Sequence, residues 1–435
     1  MRVAFLLDRF PAISETFIVR QISGLLDLGH DVDIFAARRE DTSRVHPEIG
    51  RYDLLSRTTY VDVPAEAGYW EMPVWPLRGE TWVPGATQPL SNLRRVLRAV
   101  PTLARCLRRA PRVTLDVLRP SEYGVQARSL SALYRLGTLV SRPRQYDVLH
   151  AHFGPTGLMF RFASALWQAP LVVSFHGYDF STWPRRHGAA AYAPLFTSVA
   201  LVTVNSEYSR RQVESLGGDR SKIRRLSVGV DLQRFRFRAR ALAPGDAVRV
   251  LSVGRLVEVK GHEFAIRAIA ELGNRFPHLH YDIVGEGPLR THLVSVIAEL
   301  GVDRQVTLHG SQDADYVRRM LDAAHLFLMP SVTVDGAAEG QGLALQEAQA
   351  VGLPVIASEH GALPEGMVPG ESGFLARERD VGHLSAQLAC MIEQSSRWPV
   401  MGAAGRAFVE QRYDAEDLNR RLVALYSEAA SSTGR

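Results

Sequence analysis

Two short segments carry residue types suited to phosphate chemistry. The first is Gly254-Arg255, followed five residues later by Lys260-Gly261, at the end of an apolar run and directly before a helical pattern. Two cations beside a helix start, whose free amides and dipole attract anions, make a phosphate site. The competing reading is a solvated basic loop, yet of 51 basic residues only Lys222 and Lys260 are lysine, and one of them stands here. The second segment is Glu339-Gly340-Gln341-Gly342, which runs into an apolar helix bearing Glu347, with seven residues between the two glutamates. Its glycines let backbone approach a ligand closely, and the helix start offers amides to a phosphate. Glu347 either faces solvent or, among Leu343, Leu345 and Ala348, needs a hydroxyl or cationic partner.

A second constellation is Asp147-Val-Leu-His150-Ala-His152-Phe-Gly154 with Ser174-Phe-His176-Gly-Tyr-Asp179. Alternate residues of a strand share a face, so His150 and His152 point the same way. With His176 they form a conceivable zinc set, but no fourth ligand follows at a typical spacing. His150 is better explained as a buried strand-end residue. Asp313-Ala-Asp315 and Asp31-Val-Asp33 have the Asp-x-Asp form of some metal sites. The first opens a helix, where acidic residues cap free amides, and the second lies in a strand. Gly285-Glu-Gly-Pro-Leu289 is a strand–turn–helix junction that suits a nucleotide loop or a plain tight turn equally.

These segments need a scaffold that brings strand ends together. The chain has 435 residues, 46% of them hydrophobic, enough for two cores of ordinary domain size. Short Val/Ile/Leu runs at 2–7, 31–35, 147–150, 170–175 and 199–204, and again at 248–254, 280–285, 305–309, 325–329 and 354–357, alternate with helical spacing. That pattern predicts α/β architecture with two open parallel sheets, their strands buried on both faces. The seam falls at 230–246, which is charged, carries a Pro-Gly turn and lacks apolar periodicity. Open sheets of this kind bind ligands beyond the carboxyl ends of their strands, where the segments above cluster.

Cys106 and Cys390 are far apart in a chain with no evident secretory leader, which argues against a disulfide framework and for a reducing compartment. No stretch reaches the ~18 apolar residues of a membrane span. Residues 93–119 hold eight arginines and one acidic residue, Asp116, interleaved with Leu and Val. Such a segment suits an anionic membrane surface or a solvated basic helix face, broken by Pro101 and Pro111. Net charge is +5, and nothing beyond charge favours nucleic acid.

Taken together, Gly254-Arg255…Lys260-Gly261, the spaced pair Glu339 and Glu347, and GALPEGM at 361–367 resemble the retaining, nucleotide-sugar-dependent glycosyltransferases of family 4. The Pro11-x-x-Ser14-Glu15-Thr16-Phe17 start is similar to that of bacterial exopolysaccharide enzymes of the colanic-acid type. The resemblance implies a GT-B fold, two Rossmann-like domains facing across a cleft. Residues 1–235 would form the acceptor side, with a basic helical insertion near 91–140. Residues 236–411 would bind the donor, and 412–435 would pack back toward the first domain. It also implies that Arg255 and Lys260 hold the donor diphosphate with amides at Gln341, Gly342 and Leu343, that Glu347 holds the ribose, and that Gly340 and Gly285 lie in the donor-nucleotide site. Glu339 and His176 would meet the donor sugar, and Ser14, Glu15, Thr16, His152 and Asp179 would face the acceptor. Where the family usually has an aromatic residue, this chain has Gln341-Gly342. The expected partners are a nucleotide-diphosphate sugar and a glycan or lipid-linked glycan, with no cofactor and no metal. The expected location is cytoplasmic, peripheral at the inner face of the plasma membrane. Alternatives are a nucleotide-sugar-binding protein without transfer, an epimerase, and a metal hydrolase built on the three histidines.

Overall fold

The computed structural model describes residues 1–12, 15–40, 46–61, 63, 92–142, 144–243 and 245–433. Its apolar runs form two sheets. The first holds β1 (Arg2–Phe10), β2 (Asp31–Arg39), β3 (Thr58–Tyr60), β4 (Val148–His152), β5 (Leu171–Phe175), β6 (Leu201–Val204) and β7 (Ile223–Arg225), in the order β3-β2-β1-β4-β5-β6-β7. The second holds β8 (Val248–Val253), β9 (Leu279–Val284), β10 (Val306–Gly310), β11 (Leu326–Met329), β12 (Val355–Ser358) and β13 (Gly373–Ala376), in the order β10-β9-β8-β11-β12-β13. Every described ladder is parallel. Both sheets reverse their strand order beside their first strand, so each has a switch point, between β1 and β4 and between β8 and β11.

Why the strands read as unbroken apolar runs is clear in the second sheet. Val250, Leu326, Leu328 and Ile356 enter the core on one face, and Leu251, Phe327, Met329 and Val355 the core on the other. Residues of period two alternate between faces, and here both faces are covered. The edge strands β3, β7 and β13 are three or four residues long. Segments such as Ile-Arg-Arg have no apolar run to announce them, and pairing with an established neighbour selects them.

The chain divides into two compact units. The second begins at Ser227 and also takes Asn205–Arg211. It therefore starts ahead of the charged 230–246 seam, because Val230 and Phe235 are buried in its core and the Val230 amide bonds the Tyr413 carbonyl. The final helix, Ala415–Thr433, joins the first unit from Asn419 on. There the Tyr426 hydroxyl, fully buried, lies 2.7 Å from His150 Nδ1. Tyr426→Phe leaves that nitrogen without a partner, and the expected loss, about 1–3 kcal/mol, is measurable as a lower urea midpoint at unchanged m-value.

The arginine-rich segment folds as helix Asn92–Arg109, with Pro101 inside it, followed by helices Pro111–Val117, Pro120–Arg128 and Ser131–Leu139. Its inner face packs inward at Ala99 and Cys106. Arg109 bonds the Val140 carbonyl at 2.9 Å.

Candidate active site

At the switch point of the second sheet, β8 ends at Val253 and the chain turns through a short 3-10 segment, Glu258–Lys260, into helix His262–Leu272. Gly261 makes the turn with φ 62°, and a Cβ there would lie 1.9 Å from the Pro330 carbonyl oxygen. The Val332 amide bonds the Val259 carbonyl at 2.8 Å. The loops that follow β8 and β11 are thereby pinned to one another. A third strand end is locked beneath them: a Cβ on Gly285 would meet the Gly254 carbonyl at 1.9 Å, and the Leu256 amide bonds the Glu286 carbonyl. Gly285 thus has a packing role that its place beside a nucleotide does not require.

This junction places Lys260 Nζ 2.6 Å from Glu339 Oε1, and the Ser331 hydroxyl donates to the same oxygen at 3.2 Å. Burial pushes the Glu339 carboxyl up, but the Lys260 ammonium, with the Ser331 hydroxyl, outweighs it and holds the group below its ordinary value. Arg255 is exposed at the end of β8. Gly342, with φ 84°, starts helix Leu343–Ala350, whose first amides have no intrahelical carbonyl to bond. Glu347 is half-buried in the second turn of that helix.

Gln341 departs from a purely ligand-facing role. Its side chain clamps one residue, accepting from the Val228 amide at 2.7 Å and donating to the Val228 carbonyl at 2.8 Å. The Gly340 carbonyl next to it accepts from the hydroxyls of Ser206 and Ser209. Glu365, in the GALPEGM stretch, accepts from the amides of Glu207 and Tyr208. The Glu339–Gly342 loop and the GALPEGM stretch are therefore fastened to Val228 and to Asn205–Arg211, all within the second unit. No local pattern in the sequence signals these contacts.

In the first unit the histidines gather at the other switch point. His152 ends β4, and Phe153 then turns the chain with φ 72°, a left-handed conformation that costs a bulky residue strain. His152 Nδ1 lies 3.0 Å from His176 Nε2 with the rings stacked, and Phe5 and Phe17 pack against the pair. Burial holds His176 down to about 3 and His152 well below the ordinary imidazole value, so both rings are neutral. His150 has both nitrogens engaged, with Tyr426 and with the Ser174 hydroxyl at 2.7 Å, so it is not available as a metal ligand. Among the described residues no group of three or more His, Cys, Asp or Glu is arranged to hold a metal.

Asp179 corrects the expectation that it faces an acceptor. It is fully buried, and its carboxylate accepts from the amides of His176, Gly177 and Gly154. Burial lifts its carboxyl to about 6 against the pull of those amides. It shapes the loop that carries His176 and has no surface to offer a substrate. Glu15 precedes helix Thr16–Asp27, its carbonyl accepting from the Ile18 amide while its side chain caps none, and burial raises its carboxyl to about 7, with Arg9 opposing. Ser14 lies outside the described residues. The Asp-x-Asp pairs have structural partners: Asp313 caps helix Ala314–Ala323 through the Tyr316 amide, Asp31 bonds Arg2, and Asp33 bonds Arg144 and Tyr146.

Sequence reasoning passed over His360 and Glu378, which contact the Glu339 loop. His360 follows the apolar run of β12 directly, the same strand-end position that singled out the others.

Comparison with known proteins identifies the family. Residues 14–229 match the family model described as a glycosyl transferase 4-like domain, and 233–408 match glycosyl transferases group 1. The putative colanic acid biosynthesis glycosyltransferase WcaL of Salmonella typhimurium is 32% identical over 432 residues, 98% of this chain and 99% of that protein. The amylovoran biosynthesis glycosyltransferase AmsK of Erwinia amylovora is 30% identical over 437 residues, 99% and 100% of the two chains. Among solved structures, HepE of Anabaena in complex with UDP superposes with a TM-score of 0.67 at 17% identity, covering 98% of this chain and 100% of that one. Sucrose-phosphate synthase of Thermosynechococcus elongatus gives 0.66 at 18%, covering 99% and 100%.

Two Rossmann-like parallel sheets of this topology place the chain in the GT-B fold class. Within that class the chain belongs to the group 1 glycosyltransferases with a 4-like N-terminal domain, family 4.

Proposed function

We propose that this glycosyltransferase moves a sugar from a nucleotide-diphosphate donor to a hydroxyl of a growing, lipid-linked bacterial exopolysaccharide, with retention of anomeric configuration. The observation that carries the reading is Lys260 held against Glu339 at a loop junction built from three strand ends. An incoming diphosphate competes with the carboxylate for the ammonium. Lys260, Arg255 and the amides at Gln341, Gly342 and Leu343 then neutralise charge that develops on the leaving group, so the protein's own donors do the work a metal does elsewhere. Glu347 would hold the ribose, and Glu339 and His176 would orient the sugar. A neutral His176 fits that task, because a hydroxyl can either donate to or accept from an imidazole. Without a covalent nucleophile among these residues, a front-face path in which the leaving phosphate takes the acceptor's proton balances the reaction. Relatives named for colanic acid and amylovoran biosynthesis support an exopolysaccharide acceptor.

The test is a thermal-shift panel of UDP, GDP and ADP with UDP-glucose, UDP-galactose, GDP-mannose and ADP-glucose. A ligand at a hundred times its Kd raises stability by about 2.7 kcal/mol, so one base is expected to stand out. A panel with no shift at millimolar concentration rejects the donor assignment.

The lipid-linked part of the proposal, and with it a cytoplasmic enzyme peripheral to the membrane, rests on helix Asn92–Arg109 and its successor. Val96, Leu97, Val100, Leu107 and Leu115 are exposed, and so are Arg98, Arg105, Arg108 and Arg112. Apolar residues set among arginines suit the headgroup boundary of an anionic bilayer. Each reversed arginine forfeits about 1 kcal/mol of attraction, so changing all four to glutamate is expected to lower partitioning onto phosphatidylglycerol vesicles by two orders of magnitude or more. Unaltered sedimentation with the vesicles removes the membrane contact from the proposal.

A further inference from the structure

The Glu339 backbone is held on both sides by the loop that follows β12. Its amide donates to His360 Nε2 at 3.0 Å, and its carbonyl accepts from the Ala362 amide at 2.9 Å. An amide only donates, so Nε2 is the accepting nitrogen in this geometry and Nδ1 is the one left to donate. Nδ1 faces Glu378 Oε2 at 3.2 Å and the Thr333 hydroxyl oxygen at 3.3 Å. Glu378 is itself fixed, accepting from the amide and hydroxyl of Thr333. Burial raises its carboxyl, but these bonds and His360 hold it below the ordinary range, so the charge that orients the ring is retained. His360 is buried, 2% exposed.

We infer that His360 is a positioning residue: oriented by Glu378, its accepting Nε2 anchors the Glu339 peptide and so aims the Glu339 carboxylate at Lys260 and at the donor sugar. A buried amide could be satisfied by many groups. Only an acceptor of defined direction fixes where the side chain on the same residue points, and reacting groups tolerate displacements of well under 1 Å. The inference rests on the proposed role of Glu339 in the donor site.

Three substitutions separate positioning from mere packing. His360→Ala removes the acceptor. His360→Asn reaches only as far as Nδ1 does, whereas His360→Gln sets an oxygen near the place of Nε2. With the four nucleotide sugars named above, kcat is expected to fall about 10- to 100-fold in the Ala and Asn variants and to return to within about threefold of native in Gln. The Kd for UDP, GDP or ADP alone, whichever binds, is expected to change less than kcat does, since the proposed partner of Glu339 is the sugar and the nucleotide is left to Arg255, Lys260 and Glu347. Glu378→Gln keeps the shape but loses the charge that selects the tautomer, and is expected to lower kcat about fivefold to tenfold without altering that Kd. Native kcat in His360→Ala, or losses in Asn and Gln that are equal and follow the melting temperature, overturn the inference. Lys260→Ala measured alongside distinguishes the two levels. Full activity there removes the donor-site reading itself, and its inactivity beside a fully active His360→Ala removes only the positioning role.

Discussion

Lys260→Ala is expected to abolish sugar transfer and, at the same time, to reverse the sign of one contribution to the pH dependence of stability. The rate effect follows from losing a preorganised cation at the leaving group, where one donor is worth about 10²–10³ in kcat. The stability effect follows from what remains. Glu339 is left with its side chain only 13% exposed and without its ammonium partner. Breaking a buried pair costs about 3–5 kcal/mol, and the residual exposure here brings the expectation to roughly 2–3. In the native protein the carboxyl sits below its ordinary value of 4.5, so its contribution is present above that value and is lost as pH falls through the folded one. Without Lys260, burial dominates and lifts the carboxyl. The folded state then binds the extra proton, and the variant gains stability relative to native as pH falls from 8 to 5. The double variant Lys260→Ala/Glu339→Gln has no charge to desolvate, so it regains stability without regaining turnover. Melting curves at pH 5 and pH 8 on the three proteins, with a donor-consumption assay, check all of this. A Lys260→Ala protein with native turnover sinks the site assignment.

Gly261→Ala is expected to be among the most damaging single-methyl additions in the second unit. The glycine adopts φ 62°, and the added carbon falls 1.9 Å from the Pro330 carbonyl oxygen, a backbone atom that no rotamer change can move. Left-handed alanine alone costs about 1–2 kcal/mol. Separating the loops after β8 and β11 adds the loss of the Val332–Val259 hydrogen bond and of the junction that presents Lys260. A total of at least about 3 kcal/mol and a near-complete loss of activity are expected. Gly301→Ala is the internal control. It has nearly the same backbone angle, φ 65°, but nothing lies within 4 Å of its added carbon. Its cost should stay near the conformational ~1 kcal/mol, with activity intact. Equal urea midpoints for the two variants would show that the close approach contributes nothing.

Much of this enzyme is legible before folding. Strands buried on both faces must be apolar at every position, so β1, β8 and β12 announce themselves as runs. Arg255, Lys260 and the glutamate pair are legible because strand-end loops of an open sheet are short, and sequence neighbours there remain spatial neighbours. Even the arginine-rich helix is visible from composition. What one-dimensional pattern could not supply is every contact between elements distant along the chain. His150 and Tyr426 are separated by 276 positions, and Gln341 grips Val228 across 113. Asp179 reads as facing the acceptor because nothing in a linear stretch records that three amides from two loops converge on its carboxylate. Burial decided the charge state of the histidines, and burial is a property of the assembled layers alone. The sequence by itself therefore determined the strands, the helices and which loops could meet a phosphate, since those depend on local periodicity and residue chemistry. Only the tertiary structure decided which polar groups are left to meet a ligand and which are bonded to the protein itself, because hydrogen bonding and desolvation depend on distance in space.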